Sequence, residues 1–104
     1  MTKEYKIAII GLGQIGNYLY NELNTKKKDI EKKTEKKIKI VAISAKNKNK
    51  KRKFRINRKI FYSNPLEIIK KEKIHILFES IGQSDGISKR VVENSLKNKI
   101  HVIT

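Results

Sequence analysis

All five glycines of the chain fall in two clusters: Gly11, Gly13 and Gly16 near the N-terminus, and Gly82 with Gly86 far downstream. In a sequence this poor in glycine, such clustering marks two turns whose backbone must do what a side chain would block. Gly11-Leu12-Gly13-Gln14-Ile15-Gly16 has the GxGxxG spacing. In that spacing the first glycine permits a tight turn, the second lets a diphosphate approach the backbone, and the third lets a helix pack closely on a strand. Free N–H groups and the dipole at the start of the helix then favour an anion. The chemistry indicated is the holding of a dinucleotide, provided that a strand leads into the turn and a helix leaves it.

Both elements are predicted. Tyr5-Lys6-Ile7-Ala8-Ile9-Ile10 is an apolar, β-branched run that ends at the glycines and reads as a buried strand. Beyond Gly16, the positions Ile15, Leu19, Leu23 and Ile30 recur at helical spacing with Tyr18 beside them, predicting one helix from about 14 into the thirties. Ile38 to Ser44 predicts a second strand, 45 to 55 an exposed basic loop, and Ile56 to Tyr62 a short third strand. Ser63-Asn64-Pro65 is a helix start, since a capping side chain followed by proline deals with otherwise orphaned N–H groups; the helix should run from Leu66 to about Lys73. Ile74 to Glu79 predicts a fourth strand, Ile87 to about Asn98 a helix with Val91, Leu96 and Val92 inward, and Ile100 to Ile103 a last strand. Strands alternating with helices imply right-handed parallel crossovers. The expected architecture is a single α/β domain over 1–104, a Rossmann-type open parallel sheet of about five strands with helices on both faces.

The end of the second strand bears on which dinucleotide is preferred. NAD sites commonly place an acid there for the ribose 2′-hydroxyl, whereas NADP sites replace it and supply cations for the 2′-phosphate. Here the strand ends Ile43-Ser44-Ala45-Lys46 with further lysines beyond. NADP is therefore favoured, with NAD also open, Ser44 as hydroxyl donor and Lys46 as counter-ion. In so lysine-rich a loop the missing acid is the firmer half of the reading. Ser80 and the backbone at Gly82 follow the fourth strand, across the point where such a sheet reverses its strand order, and are expected near the nicotinamide ribose. Ser84 or Asp85 is expected to cap the following helix, Glu79 to be a strand-end residue, and His75 and His101 to be strand residues without a chemical role.

Composition narrows the classes further. The absence of cysteine excludes disulfide scaffolds, thiolate metal sites and cysteine nucleophiles. No apolar run reaches the roughly 18 residues of a spanning helix, and the N-terminus lacks the pattern of a signal peptide, so a soluble, cytoplasmic protein is expected. The formal charge is +16, and residues 26 to 59 hold 17 Lys or Arg against 3 acids. Lysine, isoleucine and asparagine (22, 18 and 9 residues) make up nearly half of the chain, a skew that AT-rich coding produces without selection for a polyanion. Phe54 alone falls within the basic stretch, near its end, and Phe61 and Tyr62 lie beyond it, so no platform of several aromatics for stacked bases is interleaved with it. Nucleic-acid binding is expected to be nonspecific at most.

Lys6 to Gly16, Val41-Ala42-Ile43-Ser44-Ala45-Lys46, Glu79 to Gly86 and His101-Val102-Ile103-Thr104, in this order and spacing, resemble the N-terminal dinucleotide-binding domain of homoserine dehydrogenase over essentially all 104 residues. The resemblance implies NAD(P)-linked interconversion of aspartate semialdehyde and homoserine, a step toward threonine and methionine. It also implies that Leu12, Gln14 and Ile15 line the diphosphate turn, that Lys46 stands where the family commonly has an arginine facing the 2′-phosphate, and that Ser80 lies near the nicotinamide half. The family often has two adjacent glycines where this chain has Gly82-Gln83. It continues past the position of Thr104 into a large catalytic and dimerisation domain, which makes the family homo-oligomeric. The sequence is therefore expected to be the N-terminal piece, binding cofactor without turnover by itself and leaving open an apolar patch that the further domain would cover. The other readings are a nucleotide-sensing regulatory Rossmann module, which usually carries the acid missing here, and a basic nucleic-acid-binding protein.

Overall fold

The computed structural model describes residues 3–81 and 86–104. Five strands, β1 (Glu4–Ile10), β2 (Lys37–Ser44), β3 (Phe61–Tyr62), β4 (Ile76–Glu79) and β5 (His101–Ile103), form one parallel sheet in the order β3-β2-β1-β4-β5. The helices are α1 (Gln14–Thr25), α2 (Lys27–Thr34), α3 (Pro65–Lys71) and α4 (Ile87–Lys97).

The central strand explains its own sequence. A strand covered on both faces needs apolar side chains at successive positions rather than alternate ones. Ile7, Ala8, Ile9 and Ile10 are all buried. Ile7 and Ile9 pack with Tyr20, Leu19 and Leu23 of α1 on one face. Ala8 and Ile10 pack with Ile68 of α3 and Val91 of α4 on the other. Helices thus cover both faces, and the expected Rossmann-type α/β architecture is found. Strand order reverses between β1 and β4, which pair from Ile7 with Ile76 to Ile10 with Glu79.

Four local expectations are corrected. The long first helix is broken at Lys26 into α1 and α2. Asn24, Thr25 and Lys26 are all exposed there, so no buried face holds a straight axis through residues of modest helix propensity. The third strand shrinks to Phe61–Tyr62, preceded by a 3-10 turn at Arg58–Ile60. Asn57 makes that turn: its side chain accepts from Lys59 N–H, and its own N–H donates to the Tyr20 hydroxyl at 2.9 Å, bonds that compete with a strand ladder. Leu96 is 62% exposed, because the inward stripe of α4 runs through Val91 and Ser95, whose hydroxyl is satisfied by the Val91 carbonyl at 2.7 Å. Ile15 is 77% exposed, since close packing of Gly16 on the turn before α1 directs Leu19, Tyr20 and Leu23 inward and leaves Ile15 on the flank. The start of α3 is as expected, with the Asn64 side chain accepting from Leu66 N–H at 3.0 Å and Pro65 in the first turn.

His75 sits at the mouth of β4, where its Nδ1 accepts from Lys6 N–H at 2.9 Å and its own N–H donates to the Lys6 carbonyl at 2.9 Å. An accepting ring nitrogen must be unprotonated. Burial, then the charges of Lys73, Lys3 and Lys6, hold the imidazole below its ordinary value of 6.5. The unfolded chain therefore takes up this proton at a higher pH than the folded one does. Stability is at its plateau above about 6.5 and falls as the pH drops below it toward the lowered value. Thermal melts should show a midpoint that declines below about pH 6.5, and His75→Asn, which keeps an acceptor, should flatten that decline. An unaltered decline in the variant would assign it to another group.

Among the described residues no helix is long and apolar enough to cross a membrane. Ile103 of β5 is 40% exposed.

Candidate functional site

Two turns meet where the strand order reverses. Gly11, at the end of β1, has φ +98, a left-handed backbone that favours glycine. Its N–H donates to the Ser44 carbonyl at 2.8 Å, and Ser80 N–H donates to the Ile10 carbonyl at 2.8 Å. The turn is thereby tied to β2 on one side and β4 on the other. The Ser80 hydroxyl donates to the Gly11 carbonyl at 2.9 Å. A Cβ at Gly11 would lie 2.8 Å from the Ser80 carbonyl carbon, and one at Gly16 would lie 1.9 Å from the Gly11 oxygen. These two glycines are required by packing alone.

Gly13 is different. Among the described residues, a Cβ at this position meets no atom within 4 Å. Its φ of −70 is one that any residue adopts. Neither packing nor φ requires glycine at this position, and its backbone is left open to a close approach. Gly13 is also the N-cap of α1, with no side-chain cap and no acid in the first turn, so the leading N–H groups are left for an outside acceptor.

The turn opens onto a cleft of about 720 Å³ lined by Ile10 to Gly13, Ser44 to Asn47, Lys50, Arg52, Ser63 to Leu66, Ser80, Ile81, Ile87 and Arg90. The volume suits a cofactor-sized ligand. Lys46, Lys50, Arg52 and Arg90 face it, and among the described residues no carboxylate does. An anionic ligand is what such a wall accepts.

Of the residues anticipated from the sequence, Gly11, Leu12, Gly13, Ser44, Lys46 and Ser80 are brought together at this cleft. Leu12 is buried among Ile7, Ile9 and Tyr20, so it offers the cleft its backbone rather than its side chain. Ser44 is 2% exposed. Gln14 and Ile15 instead line a neighbouring hollow of about 520 Å³ with Asn17 and Tyr18. Gly16 lies beneath the turn against the Gly11 carbonyl. Gly82, Ser84 and Asp85 lie outside the described residues. Glu79 is buried and its Oε1 accepts from Ile81 N–H at 2.8 Å, a strand-end role.

Sequence reasoning missed Lys50, Arg52 and Arg90, and the way the basic loop is fastened. Asn17 of α1, 4% exposed, bonds both the N–H and the carbonyl of Phe54 at 2.9 Å. With the Tyr20–Asn57 bond, this seats the segment after β2 along α1. One signal was available: arginine is scarce in this lysine-rich chain, with four residues in all, and two of the four line the cleft. A planar fork that bonds several acceptors is not replaced by lysine without loss, so a scarce arginine is a pointer that a lysine is not.

The family described as "Oxidoreductase family, NAD-binding Rossmann fold" matches residues 5–104. Crystal structures of S. aureus homoserine dehydrogenase are similar to the chain. The one at pH 6.5 has 29% identity and a TM-score of 0.88, covering 100% of this chain and 26% of its own. The one at pH 7.5 has 29% identity and a TM-score of 0.89, covering 98% and 26%. A homoserine dehydrogenase from Thiobacillus denitrificans, at 20% identity and a TM-score of 0.77 over 97% of this chain and 23% of its own, shares the fold. The chain spans about a quarter of the length of the S. aureus structures it matches. A search of curated protein sequences gives no match.

Proposed function

Because the chain belongs to the oxidoreductase family with an NAD-binding Rossmann fold, we propose that its 104 residues are the cofactor-binding unit of a homoserine dehydrogenase, the enzyme that interconverts aspartate semialdehyde and homoserine. The observation that carries this reading is Gly13: a glycine that neither packing nor φ requires, at the start of α1 with no side-chain cap, where a diphosphate needs bare backbone. The likeness to the S. aureus enzyme over the whole of this chain supports the choice of dehydrogenase. A bound nicotinamide dinucleotide supplies the redox chemistry. The residues here bind and orient it: Gly11 to Gly13 with the first turn of α1 at the diphosphate, Ser44 and Lys46 at the adenosine ribose, and Ser80 toward the nicotinamide half, with Gly82 proposed beside it. Substrate binding and proton transfer, in this reading, belong to the three-quarters of the enzyme's length that the match does not cover, as does its homo-oligomeric assembly.

Within this reading the preferred cofactor is NADP(H). β2 ends at Ser44 with Ala45 and Lys46 following, so no carboxylate stands ready for a ribose 2′-hydroxyl, and Lys46 and Lys50 face the cleft where a 2′-phosphate would add charge. Titration followed by the cofactor's own fluorescence tests it. The wild type should bind NADPH more tightly than NADH by about tenfold, a difference of roughly 1.4 kcal/mol, and Lys46→Glu should remove most of that difference. Equal affinities in the wild type, unmoved by the substitution, would take Lys46 out of the site and the preference with it.

A further inference from the structure

Arg52 does something that none of the lysines around it can do. Its Nε donates to the Leu12 carbonyl at 3.2 Å, on the glycine turn, while its terminal nitrogens donate to the carbonyls of Asn47 at 2.6 Å, Lys50 at 3.0 Å and Lys48 at 3.4 Å. One guanidinium thus gathers three carbonyls of the basic loop and fastens them to a carbonyl 40 residues away in sequence. The peptide group is planar, and in its trans form the carbonyl of one residue and the N–H of the next point in opposite directions. A bond that holds the Leu12 oxygen therefore also fixes the direction of the Gly13 N–H. The buried Leu12 side chain anchors the near end of that peptide, but the glycine on its far side tolerates many backbone angles, so packing alone leaves the plane of the peptide free to turn. Four carbonyl dipoles turned onto a cation are also four dipoles not aimed at an incoming anion.

We propose that Arg52 is a positioning residue that locks the Leu12–Gly13 peptide and clasps the 47–50 loop against it, so that a cofactor diphosphate meets an amide already set in direction. This rests on the dinucleotide reading above and adds to it the device that presets the turn. It places Arg52 with the part of the cofactor common to NADPH and NADH, and not with the 2′-phosphate.

The experiment compares wild type, Arg52→Met and Arg52→Lys by titration with NADPH and with NADH, together with backbone nitrogen relaxation of the ligand-free proteins. Arg52→Met should weaken both cofactors by the same factor, about tenfold, and should lower the order parameters at Gly13 and Lys50. Arg52→Lys, which keeps the charge and the aliphatic stem, should restore little, since an ammonium cannot serve four carbonyls spread around a planar fork. A loss confined to NADPH and rescued by lysine would overturn the proposal in favour of direct contact with the 2′-phosphate. A lowered melting temperature with both affinities and the order parameters intact would reduce Arg52 to a structural tie. If the wild type binds neither dinucleotide, the functional reading fails. The relaxation data then decide the lock alone: mobility gained at both Gly13 and Lys50 upholds it, and unchanged mobility rejects it.

Discussion

Alanine at Gly16 is expected to be the most damaging small substitution in the chain. The added methyl would lie 1.9 Å from the Gly11 oxygen and 2.9 Å from both the Gly11 carbonyl carbon and the Ser80 hydroxyl. Gly11 cannot retreat: its N–H is held by the Ser44 carbonyl at 2.8 Å, and its oxygen accepts from Ser80 at 2.9 Å. Alanine has better helix propensity than glycine by about 1 kcal/mol, so the clash must first cancel that gain. Overpacking against backbone that cannot yield should exceed it, for a net loss of at least about 3 kcal/mol. In a domain of this size a loss of about 3 kcal/mol lowers the melting temperature by roughly 12 to 24 °C. Denaturant unfolding with a net loss under about 1 kcal/mol would show that α1 does not press on the turn as described.

Gly13→Ala should separate folding from binding in the opposite sense. With no atom of the described residues within 4 Å of the new methyl and a φ of −70, the methyl meets no clash and no backbone strain. Stability should fall by no more than about 1 kcal/mol, the disadvantage of alanine against glycine at an N-cap, partly offset as the unfolded chain loses freedom. Binding of NADPH and NADH should nevertheless fall by about a hundredfold, roughly 2.7 kcal/mol, because the methyl occupies the approach of the diphosphate to the backbone. The pair of substitutions distinguishes a glycine kept for packing from one kept for a ligand. Wild-type affinity in folded Gly13→Ala would remove the observation on which the functional reading stands.

The two glycines also show why parts of the site were legible in advance and others were not. The spacing of 11, 13 and 16 places a turn between a strand and a helix whatever the rest of the chain does, because both elements announce themselves locally. Ile7 to Ile10 form an unbroken apolar run, and Asn64 with Pro65 marks the start of α3. Periodicity was a poorer guide to which side chains turn inward. Ile15 and Leu96 sit at helical spacing with core residues yet are exposed, since the buried stripe of each helix is decided by the closest approach to the sheet, at Gly16 in α1 and at Val91 with Ser95 in α4.

From the linear chain alone one could determine that a diphosphate-type turn exists, that a parallel sheet presents it, and that no acid stands at the end of β2. All three depend on neighbours in sequence and on backbone freedom, which the residue types encode directly. Which of the many cations face the cleft was decided only in three dimensions. The course of the basic loop is set by Asn17 on Phe54, Tyr20 on Asn57 and Arg52 on Leu12, partners 37 to 40 residues apart. Such bonds form between groups that no local pattern couples, so Lys50 became distinguishable from its neighbours, and the scarce Arg52 acquired a role, only once the chain had closed upon itself.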